Sequence, residues 1–128
     1  MKLREKLQVM VVDDMATSRG LITQALDEMG IVNHFAEADP AEAFKKLAAR
    51  PVHLVISDFN MPNMDGLQLL EALRRTKSTA RIGFILVSGR ADGEVLGRGQ
   101  KLALNNFISK PFDTNGLRAC IEKVVGRI

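Results

Sequence analysis

Acidic residues follow two apolar segments of this chain, each long enough to form a β-strand. Asp13 and Asp14 come directly after residues 8–12, and Asp58 comes directly after residues 52–57. A lone aspartate at a strand end is typical of a turn, but three carboxylates that met would repel one another and require a cation. A hard divalent ion with oxygen ligands suits such a group. Mg²⁺ suits it best, because it also takes phosphoryl oxygens as ligands.

Two later apolar segments end on groups that can hold a phosphoryl group. Ser88 and Gly89 follow the fourth segment, and Lys110 follows the fifth. Lysine supplies a positive charge, serine a hydroxyl, and the backbone near a glycine supplies N–H groups that can approach closely. Phosphoryl transfer depends mainly on positioning and charge stabilisation. The Asp58 carboxylate is therefore predicted to act as an in-line nucleophile that forms an acyl phosphate.

Turn-forming and helix-capping residues separate the apolar segments and predict an alternation of strands and helices. Five strands are predicted over residues 8–12, 32–36, 52–57, 83–87 and 107–109. Five helices are predicted to begin at Thr17 or Ser18, at Asp39-Pro40, at Asp65-Gly66, at Asp92, and at Asp113 or Thr114. This pattern is typical of an α/β fold with a doubly wound, five-stranded parallel sheet. In the flavodoxin-like strand order 2-1-3-4-5, the first and third strands are neighbours, so the three acids would converge.

The fourth predicted helix, residues 92–104, has the weakest helical signal. Gly93, Gly97 and Gly99 each lower the helix propensity by up to about 1 kcal/mol. We therefore expect this helix to be the least stable one. Asn105 is expected to end it in the left-handed conformation that glycine usually adopts there.

Length and composition indicate one soluble domain over residues 1–128. With 46% hydrophobic residues the chain can bury a core, and its single cysteine, Cys120, excludes a disulfide framework and favours a reducing, cytoplasmic setting. No apolar run approaches the roughly 18 residues of a membrane span. The net charge of +3 could attract nucleic acid, but the chain has no tryptophan or tyrosine to stack bases. A solvated helix end better explains the one loose basic group, which comprises Arg74, Arg75, Lys77 and Arg81.

Four motifs at the predicted strand ends together resemble the receiver domains of two-component response regulators. They are Val-Val-Asp13-Asp14, Asp58-Phe-Asn-Met-Pro-Asn-Met-Asp-Gly66, Val-Ser88-Gly89 and Lys110-Pro111-Phe112. The motifs occur in the order of that family and span essentially the whole chain. The resemblance implies the CheY-like, flavodoxin-like fold. It also implies a phosphoprotein that signals, with only self-catalysed phosphorylation and dephosphorylation.

The resemblance implies a role for each residue of the site. Asp58 would accept the phosphoryl group, and Asp13, Asp14 and the backbone carbonyl of Asn60 would hold Mg²⁺ together with it. Lys110 would neutralise the charge of the phosphoryl group. The peptide bond between Lys110 and the following proline is expected to be cis.

Further residues would convert phosphorylation into a change of surface. Ser88 would move toward the phosphoryl group, and Phe107, in place of the more frequent tyrosine, would turn inward behind it. The surface formed by the fourth predicted helix, the fifth strand and the fifth predicted helix would change as a result. Met15, Gly89 and Arg90 would line the mouth of the site and affect how fast water removes the phosphoryl group.

A receiver without an attached output domain acts by docking. The family precedent is a monomeric, stand-alone chemotaxis regulator, phosphorylated by a sensor histidine kinase of the CheA type or by a phosphotransfer protein, which binds the flagellar motor switch protein. An alternative within the family is a phosphorelay intermediate or phosphate sink without a motor target. An aspartyl phosphatase is the alternative from another class. Such enzymes carry a second acid two residues after the nucleophile, where this chain has Asn60.

Overall fold

Five parallel strands form the centre of the protein. The computed structural model describes residues 2–89 and 93–128. The strands are β1 Gln8–Val12, β2 Asn33–Glu37, β3 Leu54–Asp58, β4 Gly83–Ser88 and β5 Asn106–Ser109. Their spatial order is β2-β1-β3-β4-β5, and every neighbouring pair is parallel. The predicted doubly wound α/β fold and its strand order are confirmed.

Six helices flank the sheet within the described residues, one more than predicted. They are α1 Leu3–Lys6, α2 Ala16–Glu28, α3 Pro40–Ala49, α4 Gly66–Arg75, α5 Gly93–Lys101 and α6 Thr114–Val125. The unpredicted helix, α1, has four residues and no side-chain cap, so it is too short for a periodic signal. A tertiary contact holds it instead, because the side-chain amide of Asn33 donates a 2.8 Å hydrogen bond to the Glu5 carbonyl.

Two hydrophobic cores lie on opposite faces of the sheet. Alternate residues of β1 contribute to each core: Val9 and Val11 pack with α2 and α6, whereas Met10 and Val12 pack with α3, α4 and α5. Strands β3 and β4 are buried along their whole length, as expected for central strands of a parallel sheet. The edge strands β2 and β5 are more exposed. The side chains at the carboxyl ends of β3 and β4 are therefore attached to the most deeply buried strands of the sheet.

Three helices begin at aspartates that the sequence predicts as N-caps. The side chains of Asp39, Asp65 and Asp113 each accept a hydrogen bond from a backbone N–H in the first turn. Asp65 also forms a capping box with Gln68. Gly30 follows α2 with a φ of 82°, in the left-handed region that glycine favours after a helix. None of the described helices is long and apolar enough to cross a membrane.

The end of α5 differs from the prediction. The helix ends earlier, and Ala103 rather than Asn105 takes the left-handed conformation, with a φ of 57°. The side-chain oxygen of Asn105 instead accepts hydrogen bonds from the backbone N–H of Phe84 (2.8 Å) and from Arg74 (3.0 Å). The prediction for Asn105 was wrong because these partners lie far away in the sequence.

Arg74 also differs from its prediction as part of a solvated basic group. Its guanidinium is partly buried and donates five hydrogen bonds, four to backbone carbonyls and one to Asn105.

The ends of the helices and strands show smaller differences from the predictions. Helix α2 begins at Ala16, and strands β2 to β5 differ by one or two residues from their predicted ranges.

Candidate functional site

The carboxyl ends of β1 and β3 lie side by side and bring the three acids together. Val12 is in register with Ser57, so the next residues along the chain, Asp13 and Asp58, are neighbours. One carboxylate oxygen from each of Asp13, Asp14 and Asp58 lies within 4.8 Å of the other two. The strand order thus places three negative charges at one point of the sheet edge.

The carboxylates of this cluster have few hydrogen-bond donors. Asp13 is fully buried, and Asp58 is only 6% exposed. Asp13 Oδ1 accepts a 3.0 Å hydrogen bond from the backbone N–H of Met15. Asp13 Oδ2 and Asp14 Oδ1, however, are buried without a hydrogen-bond partner among the described residues. A buried charged oxygen without a partner is costly, and a bound cation would remove that cost. Mg²⁺ fits the site because the atoms that could coordinate it are hard carboxylate oxygens.

Lys110 brings a positive charge to Asp58. Its Nζ atom lies 2.9 Å from Asp58 Oδ1. Burial raises the pKa of the Asp58 carboxyl above its ordinary value, the hydrogen bond from Lys110 opposes this shift, and the negative charge of Asp13 adds to it. The backbone N–H of Lys110 donates a 2.9 Å hydrogen bond to the Ser88 carbonyl, which ties the end of β5 to β4. The Lys110–Pro111 peptide bond is cis, as predicted.

The turn after Asp58 has a shape that few residues allow. A Cβ atom at Gly66 would lie 2.4 Å from the Asp58 carbonyl oxygen, so a larger residue there would require the backbone to move. The Gly66 N–H donates a 2.9 Å hydrogen bond to the Phe59 carbonyl, and Asn63 has a left-handed φ of 70°. Asn60 lies in this turn and is exposed. The turn is therefore closed against the end of β3, beside the acids.

The other predicted site residues lie at the ends of β4 and β5 and near the acid pair. Ser88 is the last residue of β4 and is 2% exposed. Phe107, on β5, is partly buried and packs against the core on the α3, α4 and α5 side. Met15 and Gly89 are exposed. The prediction for Arg90 concerns a residue outside the described ranges.

Two arginines that were not singled out from the sequence contact this region. Arg19 Nη1 donates a 2.8 Å hydrogen bond to the backbone carbonyl of Asp13. Arg98, on α5, lies 3.5 Å from a carboxylate oxygen of Asp65, the N-cap of α4. Helical periodicity could have placed Arg19 beside the acid pair, because it lies in the first turn of α2. The pair between Arg98 and Asp65 joins two separate helices and has no local signal.

Comparisons of the sequence and of the fold with known proteins agree with each other. The family model described as the response regulator receiver domain matches residues 9–122. A probable chemotaxis protein CheY of Rhizobium etli is 38% identical over 100% of this chain and 99% of its own length. The chemotaxis protein CheY of Pseudomonas aeruginosa is 27% identical over 95% of this chain and 98% of its own length. The solved structure of Vibrio cholerae chemotaxis protein CheY4 has a TM-score of 0.86 at 24% identity and covers 92% of this chain and 98% of its own. The structural likeness concerns the fold alone.

Proposed function

The chain belongs to the response regulator receiver family, and on that premise we propose that it is a single-domain response regulator that accepts a phosphoryl group on Asp58. The observation that carries this proposal is the geometry around that carboxylate. Asp58 is nearly buried, and its carboxylate lies 2.9 Å from Lys110 Nζ and within 4.8 Å of two acids. Each of these acids has a buried oxygen without a hydrogen-bond partner in the part of the chain that the structure describes. A nucleophile, a cation-binding group and a positive charge therefore meet at one point.

The proposed donor is a phosphohistidine of a sensor histidine kinase of the CheA type or of a phosphotransfer protein. An oxygen of the Asp58 carboxylate attacks phosphorus, and the P–N bond breaks as the O–P bond forms. The imidazole nitrogen leaves with the electron pair and takes up a proton. Asp58 must be ionised to attack, and its hydrogen bond from Lys110 favours the ionised form against the effect of burial.

Groups around Asp58 would stabilise the charge of the transferred phosphoryl group. Mg²⁺, held by the acid pair and the Asn60 carbonyl, would supply charge neutralisation at the phosphoryl oxygens. Lys110 would donate from Nζ to a phosphoryl oxygen, and the hydroxyl of Ser88 would donate from the end of β4. Water would later hydrolyse the acyl phosphate, at a rate affected by the residues at the mouth of the site.

The surface formed by α5, β5 and α6 would carry the signal. Phe107 borders a cavity that is also lined by Leu96, Gly97 and Gln100 of α5, so its ring has space to repack when Ser88 moves. Of the nine residues of α5, Val95 and Gly99 are buried. A loosely packed helix beside a half-buried aromatic ring is suited to a two-state change of surface.

Intact-mass measurement after incubation with acetyl phosphate tests the role of Asp58. We expect one phosphoryl adduct that requires Mg²⁺ and is absent from Asp58→Asn. Asp113→Asn is the matched control, because asparagine caps α6 about as well as aspartate does and the adduct should remain. A folded wild-type protein that binds Mg²⁺ but forms no adduct would contradict the proposal and leave the acids as a metal site only.

The similarity to chemotaxis proteins supports the flagellar motor switch protein as the target. Binding to that protein should be measured with and without beryllofluoride, a mimic of the phosphoryl group. Binding that depends on the mimic would support the chemotaxis role. Absence of binding, together with transfer of the phosphoryl group from Asp58 to a histidine phosphotransfer protein, would favour the phosphorelay role.

A further inference from the structure

A Schellman motif closes the C-terminal end of α5. The N–H of Leu104 donates a 2.8 Å hydrogen bond to the Gly99 carbonyl, and the N–H of Ala103 donates a 3.1 Å hydrogen bond to the Gln100 carbonyl. The Leu104 side chain packs directly on Gly99, where an added Cβ atom would lie 2.7 Å from Leu104 Cδ2. The chain therefore turns tightly after the helix and enters β5.

Ala103 is an unusual residue for the left-handed position of this motif, which glycine usually occupies. Its φ of 57° is unfavourable for a residue with a Cβ atom, so its surroundings must stabilise it. Arg74 does so from α4: Nη2 donates a 3.0 Å hydrogen bond to the Ala103 carbonyl, and Nε donates a 3.1 Å hydrogen bond to the Leu102 carbonyl. A cation at the end of a helix also interacts favourably with the helix dipole.

The same guanidinium reaches the segments before β4 and β5. Arg74 Nη1 donates to the carbonyls of Ala80 (3.1 Å) and Ile82 (2.7 Å), and Nη2 donates to Asn105 Oδ1 (3.0 Å). Asn105 Oδ1 also accepts a 2.8 Å hydrogen bond from the N–H of Phe84, on β4. One side chain thus joins the last turn of α4, the start of β4, the end of α5 and the start of β5.

The amino-terminal half of α5 is held by contacts other than those of Arg74. Its buried side chain is Val95, and just beyond this half the partly exposed Arg98 lies 3.5 Å from a carboxylate oxygen of Asp65. Exposed pairs of this kind contribute little to stability. An added Cβ atom at Gly97 would meet no heavy atom within 4 Å, so this side of the helix has open space.

We propose that Arg74 is a positioning residue for the switch. It holds the C-terminal end of α5 and, through Asn105, the start of β5, so that phosphorylation moves the amino-terminal half of α5 about a stationary end. The Phe107 side chain would then turn while the backbone at the start of its strand stays in place. The motion rests on the proposed phosphorylation of Asp58, but the difference in local stability between the two ends of α5 does not.

Hydrogen exchange of the full chain, with and without Mg²⁺ and beryllofluoride, tests this inference. In the resting protein we expect the amides of residues 102–104 to exchange about tenfold more slowly than those of residues 94–98. On addition of the mimic, exchange should change at residues 94–98 and stay constant at residues 102–104.

Variants of Arg74 test its part in this difference. Arg74→Met should speed exchange at residues 102–104 about tenfold and extend the effect of the mimic to them, and Arg74→Lys should restore part of the protection. Arg118→Met is the control, because it removes a guanidinium hydrogen bond of 3.1 Å to the main-chain oxygen of the last residue, Ile128, in another part of the protein. If Arg74→Met does not fold, Ala103→Gly replaces it, and exchange at residues 102–104 should become slower because the strain at Ala103 is removed.

Equal exchange at both ends of α5 in the resting protein would overturn the inference, as would an equal response of both ends to the mimic. The same holds if Ala103→Gly fails to slow exchange at residues 102–104. Failure of the proposed function has a different signature. In that case acetyl phosphate gives no adduct, while the difference between the ends of α5 and its loss in Arg74→Met remain.

Discussion

The carboxyl edge of the sheet, where the strands end, and the amino edge, where they begin, hold buried charge in opposite ways. At the carboxyl edge, three carboxylates lie together, and two buried oxygens have no hydrogen-bond partner among the described residues. At the amino edge, Arg74 donates five hydrogen bonds to groups of the chain itself. The first arrangement is incomplete without a ligand, and the second is complete within the protein. Unpaired buried charge therefore marks the candidate binding site, whereas fully paired charge marks a structural connection.

Burial shifts the pKa of a charged group at each edge, and the two shifts have opposite directions. Burial raises the pKa of the Asp58 carboxyl and lowers the pKa of the Arg74 guanidinium, because in both cases it disfavours the charged form. Arginine stays charged even so, since its ordinary pKa lies far above neutral pH. The carboxyl edge is thus the one whose charge can be changed by a ligand.

Arg74→Met should have the largest effect on stability. It removes the guanidinium donor from four carbonyls and leaves Asn105 Oδ1 with only the hydrogen bond from the Phe84 N–H. We expect a loss of about 3 to 5 kcal/mol in the free energy of unfolding. Urea unfolding followed by circular dichroism measures it. Arg118→Met, which removes one such hydrogen bond, should cost about 1 kcal/mol. Equal losses of unfolding free energy in the two variants would contradict the role of Arg74 as a structural connection.

Asp13→Asn should change stability in the opposite direction. In the absence of Mg²⁺ it relieves repulsion in the acid cluster while keeping the oxygen that accepts from Met15, so we expect a gain of about 1 to 2 kcal/mol. Adding Mg²⁺ should stabilise the wild type and have little effect on the variant. Asp39→Asn, which alters an N-cap elsewhere, should respond to Mg²⁺ like the wild type. A less stable metal-free Asp13→Asn would show that the cluster is not strained by its charge.

Ala103→Gly should stabilise the protein by about 1 kcal/mol, because glycine adopts a left-handed φ without steric cost. Ala119→Gly is the matched control. It lies at an exposed position of α6 and should cost about 1 kcal/mol. If thermal or urea unfolding shows that Ala103→Gly is more stable and Ala119→Gly less stable than the wild type, then the amino edge holds one strained residue in place. A loss in both variants would contradict this.

The smallest expected effect is the coupling between the two edges. A strand of five residues is about 16 Å long, so the two edges are well separated. Asp13 and Arg74 share no hydrogen-bond partner among the described residues. The double variant Asp13→Asn/Arg74→Met should therefore show additive changes within about 0.5 kcal/mol in the free energy of unfolding without Mg²⁺. A larger coupling would mean that the edges already influence each other in the resting protein.

The carboxyl edge was predictable from the sequence to a degree that the amino edge was not. Asp13, Asp14 and Asp58 follow apolar runs of strand length, and the strand order then brings them together. The partners of Arg74 are mostly backbone carbonyls, which every residue has, so no residue type indicates them. For the same reason Arg74 was wrongly assigned to a solvated helix end. The chemical roles within the acid cluster remain predictions for the mass measurement.

The position of β1 between β2 and β3 has a consequence for the order in which the protein is made. These three strands are contiguous in the sheet and come from the first half of the chain, together with all three acids. During synthesis, all three acids would therefore have been added by the time α4 emerges from the ribosome. Ser88 and Lys110 arrive only with β4 and the residues after β5. A nascent chain would thus contain the three acids before it contains the serine and the lysine that we propose to respond to phosphorylation.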